Sequence, residues 1–400
     1  MTRDIDLLIV GGGLAGGSLA LALRKTPLRV AVVESITTAQ RQAAPAGDRA
    51  LALAWGSAQI LDQLGVWSQV LPAATPIEHI HVSDRGHFGK VRMSARREQV
   101  PALGYVATAR VLEDAVAEAL EQAGVIQYRP AHLQGLAAGA GGIHVTLRQG
   151  EESIQLSAGL VVGADGGNST VRRLLEIGQD QRDYGQTAIV TEVDSERHNR
   201  YVAYERFTPS GPLAMLPVGK HRSSVVWTLR HADAVAVLGR SDADFRDLLQ
   251  DAFGHWLGRL TLANRRQGFP LKLIRAHRMT ADRVVLVGNA VHQLHPIAGQ
   301  GFNLGLRDVA LLAEMLAARV QFGDDIGDRR FLENYAAARQ RDLDRVIGFT
   351  DSMVRLFSNE FWPLAKARNL GLFLLDTCPP AKRMLARYAM GVGDRLPRFV

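Results

Sequence analysis

Four hundred residues exceed the size at which a single hydrophobic core stops growing, so two or more domains are expected. Hydrophobic residues make up 47% of the chain, and 47 Lys/Arg against 40 Asp/Glu give a formal net charge of +7, a balance that describes a packed globular protein. Cys378 is the only cysteine, which excludes intramolecular disulfides and cysteine-built metal sites and fits a reducing cytoplasm.

No uncharged apolar run is long enough to span a bilayer. The opening MTRDIDLLIVGG is not a signal peptide, because its apolar run is short, follows two Asp and leads into glycines. Nucleic acid is not an expected partner: there is no compact basic run with interleaved aromatics and no DNA-binding motif.

Residues Asp6 to Val10 read as a short buried parallel strand. Gly11, Gly13 and Gly16 follow in G-x-G-x-x-G spacing, and Leu14 to Leu23 continue as a helix. A second strand, Arg29 to Val33, ends at Glu34, eighteen residues after Gly16. The first glycine permits the turn, the second lets backbone approach a pyrophosphate, and the third lets the helix pack on the strand. The acid takes the ribose hydroxyls, which argues against a 2′-phosphate there. An adenine dinucleotide, FAD or NAD, is the expected ligand. Arg49 is placed to reach its phosphates, or is a surface Arg beside Asp48. The apolar positions from Ala50 to Leu64 predict a helix.

Residues Ile77 to Val91 read as strand and turn, with Asp84-Arg85-Gly86 as turn chemistry. Arg110 heads a helix from about Val111 to Gln122, and hairpin strands follow around Ile143–Leu147 and Ile154–Leu156. A buried strand, Leu160 to Val162, enters a second glycine-rich loop holding Asp165, with a helix N-cap at Ser169 or Thr170. Segments Thr187–Val193, Tyr201–Phe207, Leu213–Val218 and Ser223–Leu229 alternate as an antiparallel sheet, followed by a helix over Asp242–Phe253. A third glycine segment runs from Arg283 to Gly305. Its strand Val284–Val287 crosses the turn Gly288-Asn289-Ala290 and a loop with Pro296, Gly299 and Gly301 into a helix. Its unpaired amides either hold an anion or electron-rich carbonyl, or simply make a tight connection. His292 and His295 lack a third ligand for a metal, and no G-x-S-x-G elbow supports a serine triad.

From Met353 onward, eight Lys/Arg face three acids, with aromatic and leucine residues between. Such a segment either docks on the body as a helical layer or lies on an anionic membrane surface.

These three glycine motifs, in this order and across most of the chain, resemble the class A flavoprotein aromatic hydroxylases of the para-hydroxybenzoate hydroxylase fold. The run LVGNAVHQLHPIAGQGFNLGLRD, the GPLAMLP segment and the HVSDRG turn are similar to the ubiquinone-biosynthesis branch. The resemblance implies an α/β fold: a Rossmann-like FAD-binding domain with an inserted antiparallel-sheet substrate domain and a C-terminal helical segment. The FAD-binding domain would comprise residues 1–75, 100–180 and 270–345, the substrate domain 76–99 and 181–269, and the helical segment 346–400. It implies FAD held by Gly11, Gly13, Gly16 and Glu34, with Arg49 and Arg110 near the phosphates and ribityl chain. Asp165 matches an acid serving both FAD and the pyridine nucleotide. Gly288 and Asn289 stand where most of the family has Gly-Asp, and Asn keeps a ribityl hydrogen bond without the charge. Pro296, Gly299, Gln300, Gly301, Phe302 and Asn303 would border the isoalloxazine.

The implied reaction is NAD(P)H reduction of the flavin, addition of O₂ at its C4a, and delivery of oxygen from the hydroperoxide to a polyprenyl phenol ring. No catalytic side chain is assigned. Tyr204, Arg206 and His295 are candidates for the ring's polar contacts; a cross-strand Tyr, a surface Arg and a loop His are the alternatives. A quinone-biosynthesis complex and peripheral contact with the inner membrane are further expected partners of a cytoplasmic protein. Hydroxylation of another ring position, or a non-catalytic FAD-containing scaffold, is the alternative function.

Overall fold

The computed structural model describes residues 3–139, 141–294, 299–357, 362–393 and 395–399. Its centre is a parallel sheet built on the apolar strand Ile5–Val10. That strand pairs with Val30–Val33 on one side and Glu152–Gly163 on the other. Ile126–Tyr128 extends one edge and Val284–Leu286 the other, all parallel. Leu7, Leu8 and Ile9 have no exposed surface, as expected for a parallel strand covered on both faces. The antiparallel hairpin His132–Gly139 and Gly142–Gln149 joins the same sheet through Glu152–Gly163.

Helix Leu14–Ala22 packs against helices Ala109–Gln122 and Gln300–Gln321. Gly17 permits the contact with Ala109–Gln122, where a Cβ would lie 2.5 Å from Val116 Cγ1, and the third glycine of the fingerprint seats the helix on its strand, since a Cβ on Gly16 would lie 1.9 Å from the Gly11 carbonyl oxygen. Residues Ala50–Ala54 form a strand rather than the first turn of the expected helix, which starts at Trp55 and ends at Gln63. The strand pairs with Gly104–Thr108, so tertiary pairing overrides the helical spacing of its small apolar residues.

The second sheet is almost wholly antiparallel, its central strands being Gln179–Ser195, Arg222–Arg230, Gly211–Pro217 and Val202–Thr208. His79–Asp84 pairs parallel to Val202–Thr208 and antiparallel to Lys90–Ser94. The sheet does not stop at residue 269. Strand Gln267–Ala276 belongs to it, and His292–Gln293 adds an edge. On one face Ile189, Leu213, Met215 and Trp227 pack against Phe245, Leu249 and Phe253 of helix Asp242–Phe253. The other face looks toward the parallel sheet across a cavity.

The chain's end docks on this assembly through helices Arg329–Phe357, Trp362–Thr377 and Pro379–Ala389. The anchor is Asp84, in the turn that the sequence predicts. Its buried carboxylate accepts from Arg368 Nε and Asn369 Nδ2, each at 2.8 Å, and Asn369 Oδ1 accepts from the Gly89 amide at 2.9 Å. Breaking a buried pair strands its partner charge, at a cost of about 3–5 kcal/mol, whereas an exposed pair contributes about 1 kcal/mol or less. Asp84→Ala is therefore expected to speed protease cleavage within residues 362–389 at least ~100-fold. Asp194→Ala, which breaks the half-exposed pair with Arg222, is expected to change it less than ~5-fold. Equal rates in the two variants would show that Asp84 does not anchor the helices.

Candidate active site

One continuous cavity of about 1520 Å³ runs from the glycine loops to the antiparallel sheet. A single small-molecule site occupies roughly 300–1,000 Å³, so this space accommodates more than one occupant. Three loops shape its first half. Gly11 takes φ +104°, which only glycine adopts freely, and its Cβ position is filled by the Ala164 carbonyl. Gly13 caps helix Leu14–Ala22 without a side-chain bond, and the space beside its Cα is open, so a ligand phosphate can approach the first-turn amides. Glu34 lines the same end, where its Oε2 accepts from the Gly12 amide at 2.8 Å.

Asp165 in the second loop has two distinct oxygens. Oδ2 accepts from the Thr170 and Val171 amides at 2.6 and 3.1 Å, while Oδ1 is buried without a partner. Arg172 ties this loop to the third, donating to the Gly167 carbonyl at 2.6 Å and the Ala290 carbonyl at 2.7 Å. In the third loop Gly288 has φ +60°, and Asn289 is exposed to the cavity. Gly299, at φ +61°, caps helix Gln300–Gln321 without a side-chain bond, so its first-turn amides also face the cavity end.

Asn303 is spent on structure. Its Oδ1 accepts from the Ala54 amide and the Ser57 hydroxyl, and its Nδ2 donates to the Ala52 and Gly299 carbonyls. Only backbone is left to meet a ligand there. The Gly301 and Phe302 positions line the same end, whereas Pro296 and His295 lie outside the described residues. Arg49 is exposed at the cavity rim. Arg110 does not line it: its guanidinium bonds Asp48 and the Gln42 and Ala44 carbonyls, bracing the 42–48 turn. His292 is buried, with Nε2 2.8 Å from Asp308 Oδ2.

The second half of the cavity is apolar. Ala188, Val190, Val226, Ala214 and Leu216 present one face of the antiparallel sheet, and Leu372 and Leu375 close it from the C-terminal helices. Tyr204 also lines the cavity, although its ring leans to the opposite side of the strand, and Arg206 does not line it. The Tyr204 ring packs among Phe253, Trp256 and His81 on the helix-covered side, and Arg206 pairs across the strands with Leu213. Between them Glu205 lines the cavity, and burial raises its carboxyl to about 7. Sequence reasoning missed it, although the alternation Ala203, Glu205, Phe207 carries the signal.

The pattern of open glycine amides, a ribose acid, an unpaired carboxylate oxygen and a rim arginine suits a dinucleotide. The family profile described as FAD binding domain matches residues 4–350. Over 399 residues the chain is 39% identical to ubiquinone hydroxylase UbiL of Rhodospirillum rubrum, covering 99% of this chain and 92% of that one. It is 32% identical over 394 residues to 3-demethoxyubiquinol 3-hydroxylase of Escherichia coli, covering 98% and 99%. Among solved structures, p-nitrophenol 4-monooxygenase PnpA of Pseudomonas putida shares the fold, with a TM-score of 0.79 at 20% identity over 99% of this chain and 100% of that one. The chain belongs to the FAD binding domain family and is an FAD-dependent aromatic-ring hydroxylase, grouped with these two hydroxylases.

Proposed function

We propose that this enzyme hydroxylates the ring of a polyprenylated phenol of the 2-polyprenyl-6-methoxyphenol type in ubiquinone biosynthesis, using O₂ and NADPH or NADH. The observation that carries the reading is the cavity. It joins a dinucleotide end to an apolar chamber with one carboxylate, which suits a lipophilic ring with a polar edge. Names of the relatives, a ubiquinone hydroxylase and a demethoxyubiquinol hydroxylase, support the substrate class.

Bound FAD, once reduced by the nicotinamide nucleotide, supplies the oxygen-transfer chemistry. The chain's residues do the rest. The amides after Gly13 hold the pyrophosphate, Glu34 the ribose and Arg49 a phosphate, while Asp165 Oδ1 accepts a hydroxyl. Amides of Gly301, Phe302 and Asn303, at the positive end of a 22-residue helix, stabilise negative charge on the ring system. The valine and leucine walls exclude water from the reacting ring. The parallel-sheet segments serve the cofactor, and the antiparallel sheet, which runs on through Ala276, the substrate.

We also place the C-terminal helices at a membrane surface. No helix among the described residues is long and apolar enough to cross a membrane. Helix Trp362–Thr377 is apolar on two sides, however. Leu372 and Leu375 line the cavity, while Leu370, Phe373 and Leu374 are 53%, 49% and 54% exposed on the outside. Exposed Arg383 and Arg387 on the next helix would meet anionic headgroups.

The first test is product mass after incubating the FAD-loaded protein with NADPH, labelled O₂ and a short-prenyl methoxyphenol. One labelled oxygen atom in the product is expected, and fragmentation locates the carbon; a flavin that is reduced without any oxygenated product would sink the reading. Asp165→Asn keeps the amide-accepting oxygen but turns the unpaired one into a donor. It is expected to weaken FAD about tenfold or more in an apoprotein titration with the melting temperature of the apoprotein little changed; unaltered affinity would remove Asp165 from the cofactor site. Replacing Leu370, Phe373 and Leu374 together by Ser is expected to abolish flotation with anionic liposomes while short-prenyl turnover persists, and retained flotation would exclude this face.

A further inference from the structure

We infer that Glu205 receives the proton of the substrate's ring hydroxyl. This deepens the reading of the protein as a phenol hydroxylase and rests on it.

The argument begins with strand register. In Val202–Thr208, Ala203, Glu205 and Phe207 point to the cavity. Across the ladder Glu205 pairs with Ala214 on one side and Val82 on the other, both of which also line the cavity. Farther along, Val226 pairs with Ala214 and Val190 with Val226. Glu205 is thus a lone carboxyl on a sheet face of alanine, valine and leucine. Among the described residues nothing donates a hydrogen bond to it and no cation pairs with it.

Glu205 is half-buried, its carboxyl facing an apolar wall with no partner among the described residues, and removing a carboxylate from water without one is costly. Any small apolar residue would satisfy the sheet at this position, so packing does not explain the acid. A ligand that brings its own donor does. The ring hydroxyl of a phenol is such a donor, and the rest of the ring and its prenyl chain match the surrounding valine and leucine.

Burial alone raises the group to about 7, which makes it a stronger base than an exposed glutamate. Arg368 and Tyr388 line the same cavity from the C-terminal helices, but Arg368 is held by Asp84. Tyr204, beside Glu205 on the same strand, also lines the cavity, and burial raises its hydroxyl so that it stays neutral; Glu34, Arg49, Glu113, His132 and Asp165 lie with the cofactor loops or the hairpin beside them. The flanking strands contribute only Val82 and Ala214 at the paired positions.

In the step assigned to Glu205, the phenol O–H bond breaks and a carboxyl O–H bond forms. The electron pair stays on the ring oxygen, which raises electron density at the ring carbons ortho and para to it. The proton returns to solvent or to the product hydroxyl, so Glu205 is regenerated. Only the ionised carboxylate can act, so activity should rise with pH through about 7.

The test uses FAD-loaded wild type, Glu205→Gln and Glu205→Leu. Flavin absorbance titration gives Kd for a short-prenyl methoxyphenol and for its ring methyl ether, which has no proton to give. At pH 8 the wild type is expected to prefer the phenol about tenfold or more, the effect of one hydrogen bond to a charged group, and Glu205→Leu to lose that preference. Turnover of Glu205→Gln is expected to fall roughly 100-fold or more, with the acid limb near pH 7 removed. Folding is checked independently. A native carboxyl raised above its unfolded value costs stability once the pH exceeds the unfolded value, and fully so above the native one. Glu205→Gln should therefore melt no lower than wild type at pH 8. Equal affinity of the wild type for phenol and ether, or an unchanged rate and pH profile in Glu205→Gln, would overturn the inference. A wild type that prefers the phenol but never oxygenates it would refute the reaction while leaving the Glu205 contact standing.

Discussion

The return of the chain to its cofactor end depends on one buried carboxylate, Asp308. It accepts from the Gly288 amide at 3.1 Å and from Arg339 Nε at 2.7 Å, and His292 Nε2 lies 2.8 Å away. The Tyr335 hydroxyl donates to the backbone carbonyl of the same residue. These partners sit on the third glycine turn, a sheet edge and helix Arg329–Phe357, and Asp308 itself is on helix Gln300–Gln321. Isolated burial of a carboxylate costs several kcal/mol. Burial does resist ionisation here, yet Arg339 and His292, helped by the Gly288 amide, hold Asp308 down to about 2. The charge is thus native, and every group satisfying it is a structural joint. Asp342 extends the joint by pairing with both Arg339 and Arg307.

That joint explains how a cofactor end can be made almost entirely of backbone. Glycine turns offer amides but no side chains to fix their own positions. The fixing is done from behind. Asp308 holds Gly288, Arg172 bridges the carbonyls of Gly167 and Ala290, and Asn303 staples Ala52, Ala54 and Gly299 together. The Asn303 side chain makes four hydrogen bonds while only its amide is left for a ligand. Side-chain identity at such a residue records the scaffold, not the chemistry.

This division also decides what was legible in the sequence. The strand, loop, helix, strand and acid from Asp6 to Glu34 form a local unit whose spacing is fixed by a single turn and helix, and its elements fall where the spacing predicts. Helix Asp242–Phe253 is likewise local and occupies the range read from the sequence. Ala50–Ala54 was opaque because its strand exists only through pairing with Gly104–Thr108, fifty residues away. Arg339 could not be linked to Asp308, thirty-one positions earlier, by any local pattern. Strand Val202–Thr208 shows the limit at one position, since Tyr204 lines the cavity and Arg206 does not. The strand was legible, but its face was not, and a period of two also puts the neighbouring Glu205 into the cavity.

The same geometry distinguishes the two halves of the cavity. The dinucleotide end is built on the parallel sheet and braced by buried ionic joints, within a fold shared at 20% identity with p-nitrophenol 4-monooxygenase PnpA. The apolar chamber is walled by an antiparallel sheet face and by helices from the chain's end, tied together by the buried Asp84–Arg368 pair at its margin. A wall of that kind can change one methyl group at a time without disturbing the cofactor turns. The two fixed polar features near it have different jobs. Asp84 is saturated by Arg368 and Asn369 and serves only to seat the helix. Glu205 is saturated by nothing among the described residues, which leaves the ligand as the proposed source of its missing donor.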